Sequence, residues 1–387
     1  MDTFKTDCKE TWACIRTGKG IAAIGSIEIE GPGVFSVARQ CFQPTAKDTS
    51  FEEGKILRGR FLVQSEEIDE GLLAVEGPQR LVLHCHGNPL IARRILEFLK
   101  TAGIRIVSLE EMLARRFAPQ SSNLLEIEAR LESLKSVSLL GVQLIHHQLS
   151  GGLSEVLEQW SRCADIETIR SQAKTIFQRS QIARRILRGV RIVIAGPPNS
   201  GKSTLLNRLT GGEQALVSDI QGTTRDWIAA FGRIEPLWIE WIDTAGLDED
   251  LAGTDTLEQI AQQQTHHLLN HCDLILYVLD TSKPQWTQQL PAPGAIPLIT
   301  VLNKYDLSHI DPPEPDKQIA ISALCGMNLD HLSRRILQTL QVESFEPALP
   351  AAFTERQIRL LEKLASVKNL SETKSLVQQL FGIGRTV

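Results

Sequence analysis

The stretch VRIVIAGPPNSGKSTLLNRLT, Val190 to Thr210, decides the fold of the larger part of this chain. VRIVIAG is an apolar run of the kind a strand buried on both faces requires. GPPNSGKS, Gly196 to Ser203, fits the pattern GxxxxGK[ST], and TLLNRLT opens a helical pattern. Strand, glycine-rich loop and helix thus stand in the order a phosphate-binding loop needs. Gly196 and Gly201 let the backbone wrap a phosphate and aim N–H groups at it. Lys202 is placed to reach the outer phosphates and Ser203 to ligate Mg²⁺, with Asn199, Ser200 and Thr204 in the same candidate site.

Downstream, PLWIEWID, DLILYVLD, PLITVLNK and KQIAIS read as further strands, with helical stretches between several of them. That alternation predicts a doubly wound α/β domain over residues 189–340. Residues 119–188 read as helical. Leu124, Ile127, Leu131 and Leu134 fall at heptad spacing, and DIETIRSQAKTIFQRSQIARRILRG continues the pattern. Residues 341–387 return to helix with TERQIRLLEKLASV and SETKSLVQQL, so the α/β domain is expected to be inserted in a helical one. Residues 1–118 mix β-like runs and turns with one amphipathic helix, PLIARRILEFLKTAG, closed by Gly103. The fold class is therefore α/β plus α, preceded by an α+β domain.

The base follows from NKYD, Asn303 to Asp306, at the end of the strand PLITVL. A carboxylate there accepts hydrogen bonds from guanine N1–H and the 2-amino group, which adenine does not offer in that arrangement. Asp306 is the expected base reader, Lys304 packs over the ring, and Ser322 and Ala323 in SAL supply a backbone N–H to the base oxygen. Each motif alone is weak, but their order after a phosphate loop points to GTP. In DIQGTTRD, Asp219 to Asp226, Thr224 is placed to complete the Mg²⁺ shell. DTAG runs from Asp243 through Thr244 and Ala245 to Gly246. Asp243 would hold Mg²⁺ through water and the Gly246 N–H would sense the γ-phosphate.

The position after DTAG, where many GTPases carry a water-orienting glutamine, is Leu247. Another group must orient water and neutralise charge. Asn199 is positioned to ligate a monovalent cation beside the phosphates. Asp248, Glu249, Asp250, Asp255 and Glu258 are candidate acids, and spacing alone does not choose among them.

The bulk composition is that of a soluble globular protein. Of 387 residues, 42% are hydrophobic and 22% charged, with a net charge of -5. That charge gives no general reason for nucleic-acid binding. Seven scattered cysteines, no export-like start and no apolar run of transmembrane length point to a cytoplasmic protein without a membrane span. His84, Cys85 and His86 alternate between strand faces and read as turn and core residues.

The chain resembles the tRNA-modification GTPases of the MnmE (TrmE) family. GPPNSGKSTLLNRLTG, SDIQGTTRD, DTAGL and NKYD follow that family's GTPase domain. CHGN, EEMLARRFA and FGIGR resemble its CHGG, EFTxRAF and FCIGK stretches. The resemblance spans nearly the whole chain. It implies K⁺-stimulated GTP hydrolysis triggered by dimerisation, an N-terminal folate-binding domain that forms a homodimer, and a flavin-containing partner, MnmG, with which the family modifies the wobble uridine of tRNA. By position it implies Asn199, Ser218, Ile220 and Thr223 as K⁺ ligands, and Ser203 and Thr224 as Mg²⁺ ligands. It makes Glu258 the catalytic acid beside Lys202.

The chain departs from the family pattern at the folate positions. The terminal cysteine is replaced by Gly382 and the terminal lysine by Arg385. Glu28 stands for an arginine, Val82 for a glutamate, and Ser122 is nearest to a loop lysine. These changes make 5-formyltetrahydrofolate a doubtful ligand. Two readings stay open: a tRNA-modification GTPase with a flavoprotein partner, or a GTP-driven dimerisation switch that has lost the modification chemistry.

Overall fold

A computed structural model of the chain describes residues 10–18, 20–45, 50–211, 228–243, 272–283, 296–308 and 318–382. They fall into two compact units, Met1–Ser122 and Asn123–Thr386.

The first unit contains β1 (Trp12–Ile15), β2 (Ile24–Glu30), α1 (Val34–Cys41), β3 (Phe42–Pro44), β4 (Ile56–Val63), β5 (Glu66–Gly77), β6 (Arg80–His86), α2 (Pro89–Thr101), β7 (Arg105–Ile106) and α3 (Leu109–Phe117). The sheet order is β3-β4-β5-β6-β2-β1-β7, antiparallel except where β7 runs parallel to β1. Period-two alternation decides its faces. Ile27 and Ile29 of β2 point into a core with Leu81 and Leu83 of β6 and with Ile95 and Leu99 of α2. Glu28, between the two isoleucines, pairs in register with Val82 and points to the opposite face. Pro89 at the first turn and the Asn88 side chain, which accepts from the Leu90 N–H, start α2 where the sequence places it.

The second unit opens with α4 (Leu124–Ser133), α5 (Leu139–Ser150), α6 (Gly152–Arg162) and α7 (Ile166–Arg188). It continues through β8 (Val190–Ala195), α8 (Lys202–Leu209), β9 (Ile228–Ile234), β10 (Leu237–Asp243), β11 (Leu274–Asp280), β12 (Leu298–Asn303) and β13 (Gln318–Ala320), then α9 (Leu329–Thr339), α10 (Glu355–Leu364) and α11 (Leu370–Phe381). Its sheet order is β13-β12-β11-β8-β10-β9, parallel but for β9. Ile192, Val193 and Ile194 of β8 are all buried, as a strand covered on both faces must be. Asn123, Ser138, Asp165, Thr354 and Asn369 cap helix starts with side-chain oxygens.

Helices from the end of the chain pack on those before β8: α10 against α7, and α11 against α6 and α4. One apolar core runs through these helices and the α/β part alike, with members from Leu125 to Leu380. A polar joint reinforces it. The Glu128 carboxylate accepts from Arg356 Nε at 2.6 Å and Nη2 at 2.7 Å and from Gln357 Nε2 at 2.8 Å. Arg356 also donates to the Gln379 and Leu380 carbonyls at the end of α11.

The heptad stripe is buried only in part: Ile127 is buried and Leu124 and Leu131 are half-buried. Leu125, Ile127, Ala129 and Glu132 are the buried residues of α4, whereas Leu134 is 65% exposed. The reason is local: α4 ends at Ser133, one residue before Leu134, and packs against α5 and α11.

Candidate functional site

The C-terminal ends of β8, β10, β11 and β12 converge, and the motif residues stand there, as ligand-binding residues of parallel sheets do. β8 ends at Ala195, and Gly196 turns the chain at φ 143°. A Cβ at Gly196 would lie 2.1 Å from the Val278 carbonyl oxygen, so only glycine fits this turn. Lys202 begins α8 and is 4% exposed; its Nζ donates to the Gly196 oxygen at 2.9 Å and the Pro197 oxygen at 3.2 Å. The ammonium is therefore held over the loop where outer phosphates would lie. Ser200 is buried, and its Oγ has no hydrogen-bond partner among the described residues. A buried hydroxyl of this kind fits a loop built to receive a polar ligand.

Ser203 Oγ donates to Asp243 Oδ2 at 2.9 Å. The hydroxyl comes from the first turn of α8 and the carboxylate from the end of β10, so two proposed Mg²⁺-site residues are brought together. They fit a hard cation that takes oxygen donors.

Asn303 is 2% exposed and acts as a brace. Its Nδ2 donates to the Ser200 carbonyl at 2.8 Å, and its Oδ1 accepts from the Ala323 N–H at 3.0 Å. The phosphate loop and the SAL loop are thus tied to β12. Ser322 is fully buried, and its Oγ accepts from the Cys325 N–H at 3.2 Å. Asp306 is exposed beyond β12, with Cys325 Sγ 3.9 Å from its Oδ2. Lys304, at φ 61°, donates to the Asn199 carbonyl at 2.8 Å. Asn199 also has a left-handed backbone, at φ 64°. Thr204 lines a cleft of about 430 Å³ with Asn207, Arg208, Gly211 and Leu324.

Ser218, Ile220, Thr223, Thr224, Thr244, Ala245, Gly246 and Glu258 lie outside the described residues. The expected sites thus stand with Asn199 to Thr204, Asp243, Asn303, Lys304, Asp306, Ser322 and Ala323 placed around one sheet end.

Two residues here escaped the sequence reading. Arg208 of α8 donates to the Ala323 oxygen at 3.2 Å and the Leu324 oxygen at 2.6 Å, holding the SAL loop from the other side. Asp280 ends β11 and pairs with Lys304 at 2.7 Å. An acid closing the apolar run DLILYVLD, level with Asn303 in the strand register, was the available signal. The Lys304 ammonium and the Ser282 hydroxyl and N–H hold the Asp280 carboxyl below the usual carboxylate range, against the opposing effect of burial.

In the first unit, Glu28 is 1% exposed. It forms an ion pair with Arg116 of α3 and lies 3.5 Å from Arg16 Nε. Arg116 also pairs with Glu30. By the family resemblance Glu28 reverses the charge of an arginine. The pleat of β2 turns it toward α3, where EEMLARRFA supplies the matching guanidinium. Val82 is fully buried beside it. Cys14 shares this face, and burial first, then the Glu28 charge, pushes its thiol up to about 11. His84 Nδ1 lies 2.9 Å from Ser26 Oγ, and His86 Nδ1 2.7 Å from Asp69 Oδ1.

Gly382 caps α11 in the second unit with φ 73°. A Cβ on it would lie 2.2 Å from the Leu124 Cβ. Phe381 packs against the core; residues 383–387 lie outside the described residues. Among the described residues, no helix is long and apolar enough to cross a membrane.

Comparison with known proteins agrees with this geometry. Residues 191–304 match the family of 50S ribosome-binding GTPases. A tRNA modification GTPase MnmE of Thermus thermophilus is 28% identical, over 97% of this chain and 92% of its own length. The MnmE of Aquifex aeolicus is 29% identical, over 93% of this chain and 88% of its own length. That of Geobacter sulfurreducens is 29% identical over 86% and 81%. With a GTPase match across the nucleotide loops and relatives along nearly its whole length, the chain is similar to the tRNA modification GTPases MnmE.

Proposed function

We propose that this protein hydrolyses GTP in the course of tRNA modification, as its relatives' names describe, in the cytoplasm and without a membrane anchor. The observation that carries the GTPase part is the brace through Asn303, which joins the phosphate loop to the SAL loop, beside the paired Ser203 and Asp243. In this reading Lys202 binds the outer phosphates and Ser203 and Thr224 hold Mg²⁺, which would neutralise phosphate charge when bound. Asp306 reads guanine. GTP but not ATP is expected to be cleaved in a phosphate-release assay. Asp306→Asn should weaken GTP binding at least about tenfold and favour xanthosine triphosphate, whose 2-oxo group needs a donor. Equal rates on ATP and GTP would refute the assignment.

The finer steps rest on the family likeness. Asn199, Ser218, Ile220 and Thr223 would hold K⁺, Glu258 would orient water, and GTP would drive formation of a homodimer that works with an MnmG-like flavoprotein on tRNA. Support for Asn199 is its exposed, left-handed position in the phosphate loop. K⁺ is expected to accelerate hydrolysis more than Na⁺ at equal ionic strength, and Asn199→Ala should remove the difference. Equal wild-type rates in the two salts would sink the cation mechanism. The packing of α10 on α7 supports the α/β part as an insertion in a helical domain.

A second reading, a GTP-driven switch without folate-dependent chemistry, is favoured by Glu28 and Gly382. Glu28 is buried in an ion cluster, Val82 offers no polar atom, and Gly382 has no thiol. These residues do not fit a ligand of the 5-formyltetrahydrofolate kind. Calorimetry with the purified protein should detect no such binding, and Gly382→Cys should not create it, because the new Cβ meets Leu124. Tight binding by the wild type would overturn this reading. Mass spectrometry of wobble uridines in tRNA from a deletion strain separates the two readings.

A further inference from the structure

The turn after β11 cradles the start of NKYD. Thr281 N–H and Oγ1 both donate to the Asn303 carbonyl, at 3.0 Å and 2.8 Å. Asp280 Oδ1 accepts from the Ser282 N–H at 3.0 Å and the Ser282 hydroxyl at 2.6 Å, which fixes the carboxylate plane. Its Oδ2 accepts from Lys304 Nζ at 2.7 Å, and the same ammonium donates to the Asn199 carbonyl at 2.8 Å. Asp280 is 6% exposed. Lys304 and Asn199 both hold left-handed backbones, at φ 61° and 64°, which residues other than glycine seldom adopt. One ammonium therefore bridges two unfavourable backbone conformations, one in the base-reading loop and one in the phosphate loop. An ammonium with rotatable donors keeps such a fork only if an anchored acceptor holds it.

We propose that Asp280 is a positioning residue that aims Lys304, and that the Asp280–Lys304 pair locks the phosphate loop at Asn199 to the guanine-recognition strand, slowing nucleotide release. This rests on the guanine-nucleotide reading of the site but not on the K⁺ mechanism. Loss of the pair leaves the contacts of Lys202, Ser203 and Asp306 in place, so it raises the off-rate and KM rather than lowering kcat.

The test uses the full chain and a fluorescent N-methylanthraniloyl-GDP probe in Na⁺ buffer with Mg²⁺. Asp280→Asn should accelerate probe dissociation about tenfold, as expected for a weakened charge-assisted hydrogen bond. Lys304→Met should do the same, and the double variant should be no faster than the quicker single one. Ser282→Ala, which leaves the charge in place, should give a smaller acceleration of about two- to threefold. GTP turnover by Asp280→Asn at saturating substrate should stay within about twofold of wild type while KM rises. An unchanged off-rate overturns the proposal, as do single effects that multiply in the double variant. An off-rate change accompanied by a lowered melting temperature of the nucleotide-free protein would assign Asp280 a purely structural role and overturn it too. Failure of the wild type to bind the probe would instead strike the guanine-nucleotide reading itself.

Discussion

Lys202→Ala is expected to reduce GTP hydrolysis by about two to three orders of magnitude, the loss seen when a preorganised charge is removed from a transition state. Lys202 is 4% exposed and its ammonium is held by the Gly196 and Pro197 carbonyls, so it stands in position before phosphate arrives. Such a group costs little reorganisation at the moment of reaction. Alanine removes the charge while α8, whose first residue this is, keeps a good helix former. Lys202→Arg should not restore the rate, because a planar guanidinium cannot occupy the compact space of an ammonium on those two carbonyls. Phosphate release under single-turnover conditions is the measurement. A variant within about twofold of wild type would show that the loop binds no nucleotide phosphate.

Arg116→Ala is expected to produce the largest change in the first unit. Glu28 is 1% exposed, and Arg116 is its closest cation. Removing one member of a buried ion pair leaves an uncompensated charge and costs about 3–5 kcal/mol. Arg16, at 3.5 Å, softens the loss toward the lower end of that range. The effect should show in native-state hydrogen exchange as faster exchange of β1 and β2 amides. Glu28→Gln on the Arg116→Ala background should recover much of the protection, since no buried charge then lacks a partner. Unchanged protection in Arg116→Ala would mean that Arg16 alone satisfies Glu28.

What the sequence determined by itself was the nucleotide machinery. The run from Val190 to Thr210 dictates strand, loop and helix by local rules: apolar residues at every position of β8 except Arg191, a Gly196 that alone fits its turn, and a helix that begins at Lys202. Motifs of this kind are legible because backbone geometry and ligand chemistry constrain consecutive residues. NKYD and SAL were legible for the same reason, through their order along parallel strands. The helix starts at Asn88, Ser108, Asn123 and Asn369 were likewise local, each set by one side-chain oxygen.

Tertiary structure alone decided the pairings between distant segments. Nothing near Glu28 in sequence announces Arg116, 88 residues on. The pleat of β2 and the placement of α3 make them meet, and they turn an apparent charge reversal into a neutralised cluster. Asp280 reads as the end of an apolar strand until the sheet register sets it beside Asn303 and Lys304. The buried face of α4 depended on which helices cover it: Leu125 and Ala129, between the heptad positions, are buried where α5 and α11 pack. Gly382 reads as a lost thiol, but in the fold it is a left-handed helix cap pressed on Leu124, where a side chain has no room. In each case the deciding energy is a contact across the fold, a desolvated charge or a steric overlap, which no local pattern encodes.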